Sequence, residues 1–132
     1  MNVFLTGATG ALGPSTVEAL LAAGHDVRAV ARTEEKAARL RATGAEPVTV
    51  DLFDPDAVRV ATKGCDAVAH LATNVPETSR ALRKSAWTTH NRLRTEATRY
   101  LLMAARDNDI GVVVKESVTF TYPDRGAEWI DE

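Results

Sequence analysis

Three glycines near the start of the chain constrain its fold more than any other feature of the sequence. Gly7, Gly10 and Gly13 are spaced three residues apart in the segment TGATGALG, after an apolar run at residues 3–6 and before apolar residues at helical spacing. This order predicts a buried strand, a glycine loop and a helix over about residues 12–23. Gly7 permits a tight turn, Gly10 lets a ligand approach the backbone, and Gly13 lets the helix pack close against the sheet. The free N–H groups and the dipole of the helix start predict a site for a pyrophosphate group.

The rest of the chain alternates strand patterns with helix patterns. Thr33 is predicted to cap a second helix that ends at Gly44, and Asp54 with Pro55 to begin a third that stops at Gly64. A long helix is predicted from about residue 80 or later to residue 108. Strands separated by single helices predict a parallel, doubly wound α/β sheet, and right-handed crossovers give the strand order 3-2-1-4-5. The five strands are predicted at residues 3–6, 26–31, 47–51, 67–72 and 112–114.

We therefore predict one dinucleotide-binding domain of the Rossmann type over residues 1–132. Its last part, residues 118–132, has no clear periodicity and is predicted to be an irregular tail with a turn at residues 122–126.

The end of the second strand bears on the choice of cofactor. NAD-binding domains of this type carry an acidic residue there for the ribose 2′-hydroxyl, about 20 residues along from the glycines. This chain instead has Arg32, with Lys36 four residues further on, whereas Glu34 and Glu35 fit the first turn of the next helix. A guanidinium matches the oxygens of a 2′-phosphate, so the sequence predicts a preference for NADP, with NAD as the alternative. The competing interpretation makes Arg32 a solvated turn residue.

Further cofactor contacts are predicted at the ends of the third and fourth strands. Asp51 is placed to accept a hydrogen bond from the adenine amino group, with Leu52 against the ring; alternatively, Asp51 belongs to a helix-start loop shared with Asp54. Residues 71–73 are expected along the ribose and nicotinamide. The predicted cofactor-binding residues are Gly7, Thr9, Gly10, Ala11, Leu12, Gly13, Arg32, Lys36, Asp51, Leu52, Leu71, Ala72 and Thr73.

Composition excludes several other classes of function. The formal net charge of -2 lacks the basic surface of a nucleic-acid-binding protein. A single cysteine, Cys65, excludes an intrachain disulfide and fits a small buried apolar residue. No apolar stretch reaches the ~18 residues of a membrane helix, and no secretory signal precedes the first strand, so we expect no membrane partner and a cytoplasmic location. His70 is expected to be structural, and no group of residues has metal-ligand spacing.

Four segments together resemble the extended and atypical short-chain dehydrogenase/reductases of the NAD-dependent epimerase/dehydratase type. They are TGATGALG, DL at residues 51–52, HLAT at residues 70–73 and ATRYLL at residues 97–102 followed by AA at residues 104–105. The resemblance implies an oxidoreductase with a cofactor half and a substrate half. It also implies that Ser117 hydrogen-bonds the reacting hydroxyl or carbonyl, with Thr119 as second candidate. The competing interpretation is that Ser117 merely ends a strand.

The chain departs from this family's pattern at its catalytic pair. The family uses a Tyr-x-x-x-Lys, but Ala104 follows Tyr100 by four residues and Gly126 follows Tyr122 by four. Two functions therefore stay open. One is the cofactor half of an NADP-dependent reductase, epimerase or dehydratase whose substrate half is missing from this sequence. The other is a non-catalytic dinucleotide sensor. The chain alone is expected to be inactive, and the apolar fifth strand at a sheet edge predicts a homodimer.

Overall fold

The computed structural model describes residues 1–117 and residue 126. Its five parallel strands form one sheet in the order β3-β2-β1-β4-β5, which confirms the predicted doubly wound α/β fold. The strands are β1 Asn2–Thr6, β2 Asp26–Val30, β3 Glu46–Val48, β4 Ala67–His70 and β5 Val112–Lys115. The helices are α1 Gly13–Ala22, α2 Glu34–Thr43, α3 Pro55–Ala61, α4 Thr88–Arg92 and α5 Thr98–Asp107, with a 3-10 turn at Lys84–Trp87 and a π-helical turn at Leu93–Ala97. The predicted turn at residues 122–126 lies outside the described residues except for Gly126.

Local side-chain chemistry begins and ends two of the helices as predicted. The Thr33 hydroxyl accepts a hydrogen bond from the Lys36 amide at 3.3 Å, and Gly44 ends α2 in the left-handed conformation with φ of 94°. The Asp54 carboxylate accepts from the amides of Asp56 and Ala57 at 3.0 and 3.1 Å. Each such cap stabilises its helix by about 1 kcal/mol.

Three strands and one helix end earlier than the sequence predicts, and the first of these strands, β2, stops one residue early at Val30. β3 stops at Val48 because its partner β2 stops at Val30, and the last pairing joins these two residues. β4 stops at His70, where it pairs with both Thr6 and Lys115, and the chain then turns into a loop. α3 ends at Ala61 instead of reaching Gly64.

Apolar clusters cover both faces of the sheet, as the alternation of side chains along β1 requires. Phe4 is fully buried on one face, against α3 and α5, while Leu5 is fully buried on the other, against α1 and α2. Cys65 is buried in the first cluster as predicted, and burial raises the pKa of its thiol. None of the described helices is long and apolar enough to span a membrane.

Candidate functional site

A cleft of about 350 Å³ lies at the carboxyl ends of the strands, a volume within the range of ligand pockets. The cleft lies beside β1, which pairs with β2 on one side and with β4 on the other. The order of the strands therefore runs outward from β1 in both directions. Open α/β sheets bind their ligands at this switch point. The cleft is lined by Gly7, Thr9, Gly10, Ala11, Leu12, Val30, Arg32, Lys36, Leu52, Phe53, Leu71, Ala72, Thr73, Asn74, Thr89, Leu93 and Glu116.

The three glycines of the first loop have different surroundings. A Cβ atom at Gly7, where φ is 78°, would lie 2.5 Å from the carbonyl of Leu71. One at Gly13 would lie 2.2 Å from the carbonyl of Ala8, so Gly13 packs on its own loop, not on the sheet as predicted, and does not line the cleft. One at Gly10 would meet only the Gly7 carbonyl oxygen, at 3.2 Å. Gly10 is therefore the glycine with open space at the cleft.

The start of α1 fits a pyrophosphate. Its N-cap residue, Leu12, makes no side-chain capping bond, and the amides of Gly10 and Gly13 donate within the loop. The amides of Thr9, Ala11 and Leu12 make no hydrogen bond with any described residue. Free N–H groups at a helix N-terminus, beside the space over Gly10, are the arrangement that an anionic diphosphate needs.

The cleft is cationic at the end of β2. Arg32 and Lys36 both line it, and neither forms an ion pair within residues 1–117. The two nearby carboxylates are engaged elsewhere on α2, where Glu34 pairs with Arg41 at 2.7 Å and Glu35 pairs with Arg39. This arrangement agrees with the sequence interpretation of both glutamates as first-turn helix residues.

The loop after β3 differs in one respect from the main prediction. The Asp51 carboxylate accepts a hydrogen bond from the Phe53 amide at 2.9 Å, and the Asp51 carbonyl accepts from the Asp54 amide. Asp51 does not line the cleft, and these contacts are those of the shared loop that was its alternative interpretation. Leu52 lines the cleft as expected, and so does Phe53, which the sequence analysis missed. The guanidinium carbon of Arg92 lies 3.9 Å from the Phe53 ring centroid, a cation–π contact.

His70 joins the sheet to the helix opposite it. Its Nδ1 lies 2.6 Å from the Thr6 hydroxyl, and its Nε2 donates to the Leu93 carbonyl at 3.1 Å, which the Thr98 hydroxyl also donates to. With Nε2 as donor, the neutral ring accepts from Thr6 at Nδ1. Burial lowers the pKa of His70, and the bond to Leu93 opposes that shift. The ring is buried and hydrogen-bonded through both of its nitrogens, which agrees with the predicted structural role.

The end of the cleft beyond β4 is polar. Residues 71–73 line it as expected, together with Thr89 and Glu116, and the Glu116 carboxylate lies 3.7 Å from the Arg94 guanidinium. Ser117 is exposed next to Glu116 but does not line the cleft. The second candidate, Thr119, lies outside the described residues. No group of metal-ligating side chains occurs within the described part of the chain.

Residues 7–131 match the model of a protein family described as NAD(P)H-binding. The chain belongs to this NAD(P)H-binding family. It is 36% identical over 89% of its length to a 4-hydroxy-2-methyl-3-oxo-4-farnesyl-3,4-dihydroquinoline-1-oxide ketoreductase of Stigmatella aurantiaca, covering 33% of that protein. It is also 36% identical over 100% of its length to a 3-diazoavenalumate denitrifying reductase of a Streptomyces species, covering 42% of that protein.

Solved structures share the fold. The UDP-N-acetylglucosamine 4-epimerase of Bacillus cereus superposes on 99% of this chain with a TM-score of 0.75 at 23% identity, and the match covers 45% of the epimerase. The resemblance to NAD(P)-dependent reductases and epimerases is thus confirmed. The matched part of this chain covers between 24% and 42% of the length of several curated relatives, including the two reductases.

Proposed function

We propose that this NAD(P)-binding domain prefers NADP and serves an oxidoreductase of the reductase or epimerase/dehydratase type. Hydride would pass between the nicotinamide and a carbonyl or hydroxyl carbon of a small molecule, once a C-terminal half completes the substrate site. The single observation that carries the proposal is the pairing of an uncapped glycine cradle with Arg32 and Lys36 in one cleft. The names of the two reductase relatives support the reaction class.

Each predicted residue takes a defined part in this proposal. The free amides of Thr9, Ala11 and Leu12 bind the pyrophosphate over Gly10, and Arg32 with Lys36 binds the 2′-phosphate. Leu52 packs on the adenine, and Asp51, which does not line the cleft, holds the loop that carries Leu52. Leu71, Ala72 and Thr73 flank the ribose and nicotinamide, while Gly7 and Gly13 hold the loop in shape. Ser117 would hydrogen-bond the reacting oxygen.

The cofactor preference is tested by titrating NADPH and NADH against the chain at fixed salt. We expect tighter binding of NADPH, and Arg32→Ala should weaken it by about 1.5–3 kcal/mol, the value of a charge-assisted hydrogen bond, without affecting NADH. Arg39→Ala is the matched control, because it removes the same charge from an exposed position of α2 outside the cleft. Equal affinity for the two cofactors, or equal loss in both variants, would contradict a 2′-phosphate site.

A second function, a non-catalytic dinucleotide sensor, is favoured by one specific observation. The sequence contains no Tyr-x-x-x-Lys, and Ser117, an unactivated hydroxyl, does not line the cleft. NADPH oxidation by this chain with a panel of carbonyl compounds would support the oxidoreductase. Tight binding without oxidation is expected of this chain alone under both functions. The deciding measurement is therefore the same assay on a protein that also carries any coding sequence found after Glu132: oxidation there supports the oxidoreductase, and tight binding without oxidation supports the sensor.

The fifth strand supports the proposal of a homodimer. β5 is the last strand of the described sheet, and Val112 and Val114 are 48% and 56% exposed while Val113 packs on the core. An apolar β-branched edge is a template for pairing with a second chain. The cytoplasmic location stays a prediction.

A further inference from the structure

Arg94 lies beside the cleft without lining it: it follows the lining residue Leu93, and its charged partner Glu116 lines the cleft. Its guanidinium makes no hydrogen bond with any described residue, although the side chain is only 26% exposed and its Nη1 atom is buried. Its nearest charged partner is the Glu116 carboxylate at 3.7 Å, beyond hydrogen-bond distance. Buried donors without partners are rare in folded proteins, since each costs free energy. An unbonded guanidinium with five donors therefore indicates a ligand.

His90 provides a second, independent observation one helical turn earlier. The residue is 7% exposed, and its Nδ1 atom is buried without a hydrogen-bond partner in the described chain. Its ring packs edge-on against Trp87, with the centroids 5.2 Å apart, a contact that holds the imidazole in place but satisfies neither nitrogen. Residues four apart on a helix lie on the same face, so His90 and Arg94 are neighbours.

The surroundings of these two residues are cationic and adjoin the cleft. Thr89 and Leu93, which precede His90 and Arg94 directly, both line the cleft, as does Glu116. Lys115 is close enough to lower the pKa of His90, as is Arg94. Arg94 pairs with the Glu116 carboxylate, and His90 and Lys115 both lie within electrostatic range of it. This cluster lies beyond β4, across the switch point from Arg32, which is the nicotinamide side of a dinucleotide bound across the cleft.

We propose that Arg94 and His90 bind an oxyanion of the substrate, a carboxylate or a phosphate, at the nicotinamide end of the cleft. The guanidinium donates to two anion oxygens, His90 donates from Nδ1, and the anion displaces Glu116 from Arg94. Glu116 holds the guanidinium in place between turnovers and competes with the ligand. The inference rests on the proposed function, because only that function makes this end of the cleft a substrate site.

The test titrates acetate and, separately, inorganic phosphate into the chain, with and without saturating NADP. The readout is the NMR signals of the Arg94 guanidinium and the His90 ring. We expect a saturable shift of both signals in the presence of NADP, with the tighter probe indicating which anion the substrate carries. If NADP fails to bind but the anion shift persists, the proposed function fails and the anion site stands. If NADP binds but neither anion gives a saturable shift, the anion site is overturned.

Variants make the assignment specific. Arg94→Gln should weaken anion binding about tenfold or more, and Arg94→Lys, which keeps the charge but not the planar fork, should weaken it less. Glu116→Gln should tighten anion binding several-fold by removing the competitor. Arg99→Gln is the control, since it removes the same charge from an exposed position of α5 where the side chain bonds to Tyr100 and not to Glu116. Wild-type affinity in both Arg94 variants, or weaker binding in Glu116→Gln, would overturn the proposal.

Discussion

Three glycines with one spacing serve two different needs. Gly7 and Gly13 are required by the protein itself, because a Cβ at either position would overlap backbone atoms within 2.5 and 2.2 Å. At Gly10 the added atom would have only the Gly7 carbonyl oxygen within reach, at 3.2 Å. The three glycines are evenly spaced in the sequence, yet only Gly10 has open space over it at the cleft.

Gly10→Val should therefore abolish cofactor binding while the fold survives. The valine side chain would occupy the space that the proposed pyrophosphate needs, whereas inside the protein only the Gly7 carbonyl oxygen, 3.2 Å from the added Cβ, would have to shift, by a few tenths of an ångström. Circular dichroism and thermal unfolding report the fold, and NADPH titration reports binding. Gly13→Ala provides the contrast. Its Cβ would overlap the Ala8 carbonyl, so we expect this variant to lower the free energy of unfolding itself. A folded Gly10→Val protein that binds NADPH with wild-type affinity would contradict the assignment of the glycine loop as the pyrophosphate site.

Sequence patterns at the residue scale identified most of the cleft. Eleven of the thirteen predicted cofactor residues line it, the exceptions being Gly13 and Asp51. Phe53 was missed because a strand-end motif indicates Leu52 and says nothing about the next side chain, which Arg92 orients from a distant helix. Glu116 was missed for the same physical reason, since its ion pair with Arg94 joins the residue after β5 to a π-helical turn 22 residues earlier. A contact between side chains of two elements that lie far apart in the sequence leaves no pattern in the sequence of either element.

At the scale of elements, a π-helical turn interrupts the single long helix that the sequence predicts. The turn covers Leu93–Ala97, and the Leu93 carbonyl accepts hydrogen bonds from His70 and Thr98. Such turns recur at functional sites, and the first residue of this one, Leu93, lines the cleft. The pattern of apolar residues is too similar in the two helix types to reveal it, whereas caps such as Thr33 and Asp54 depend on neighbours in sequence and were predictable.

Buried His70, whose hydrogen bonds join the sheet to the helix opposite it, should make the free energy of unfolding depend on pH. Because burial lowers the pKa of His70, the unfolded chain binds its proton more readily than the folded chain. Stability is then full above the ordinary histidine pKa, about 6.5, and falls as the pH drops below it. Burial lowers the pKa of His90 as well, so it contributes in the same direction. Urea unfolding between pH 7.5 and 5.0 measures the effect.

Two variants separate the titration of His70 from its hydrogen bonds. His70→Gln should lower stability at pH 7.5 by about 1 kcal/mol or more, but its stability should fall less toward pH 5.0 because one titrating group is gone. Thr98→Val removes the other donor to Leu93 without removing a titrating group, so its curve should run parallel to the wild type. A His70→Gln curve parallel to the wild type would contradict this account.

At the scale of the whole molecule, the strand order was predictable from the sequence. The association of chains does not follow from the strand order. Strand–helix alternation with right-handed crossovers leaves few orders for five strands, the glycine loop after β1 favours the one found, and β5 at the sheet edge follows from it. The exposure of Val112 and Val114 identifies the surface on which a second copy would pair.

We expect light scattering at low micromolar concentration to give the mass of two chains. Val114→Lys should give the mass of one chain, since a charge on an edge strand opposes pairing. Leu82→Lys makes the same chemical change at a fully exposed loop residue, 98% exposed, and should leave the dimer intact. A wild-type monomer, or a dimer in all three proteins, would contradict pairing through β5.

The close packing of Gly7 on β4 has a kinetic consequence. A Cβ at Gly7 has no room because the Leu71 carbonyl and the Ala72 amide lie within 2.6 Å of where it would be. We therefore expect the loop and the segment after β4 to move together, so that the amides of the loop keep their positions whether or not an anion is present. Ordering of the loop would then be completed when the chain folds. We predict that a dinucleotide binds in a single collision step, without a closing motion of the cradle.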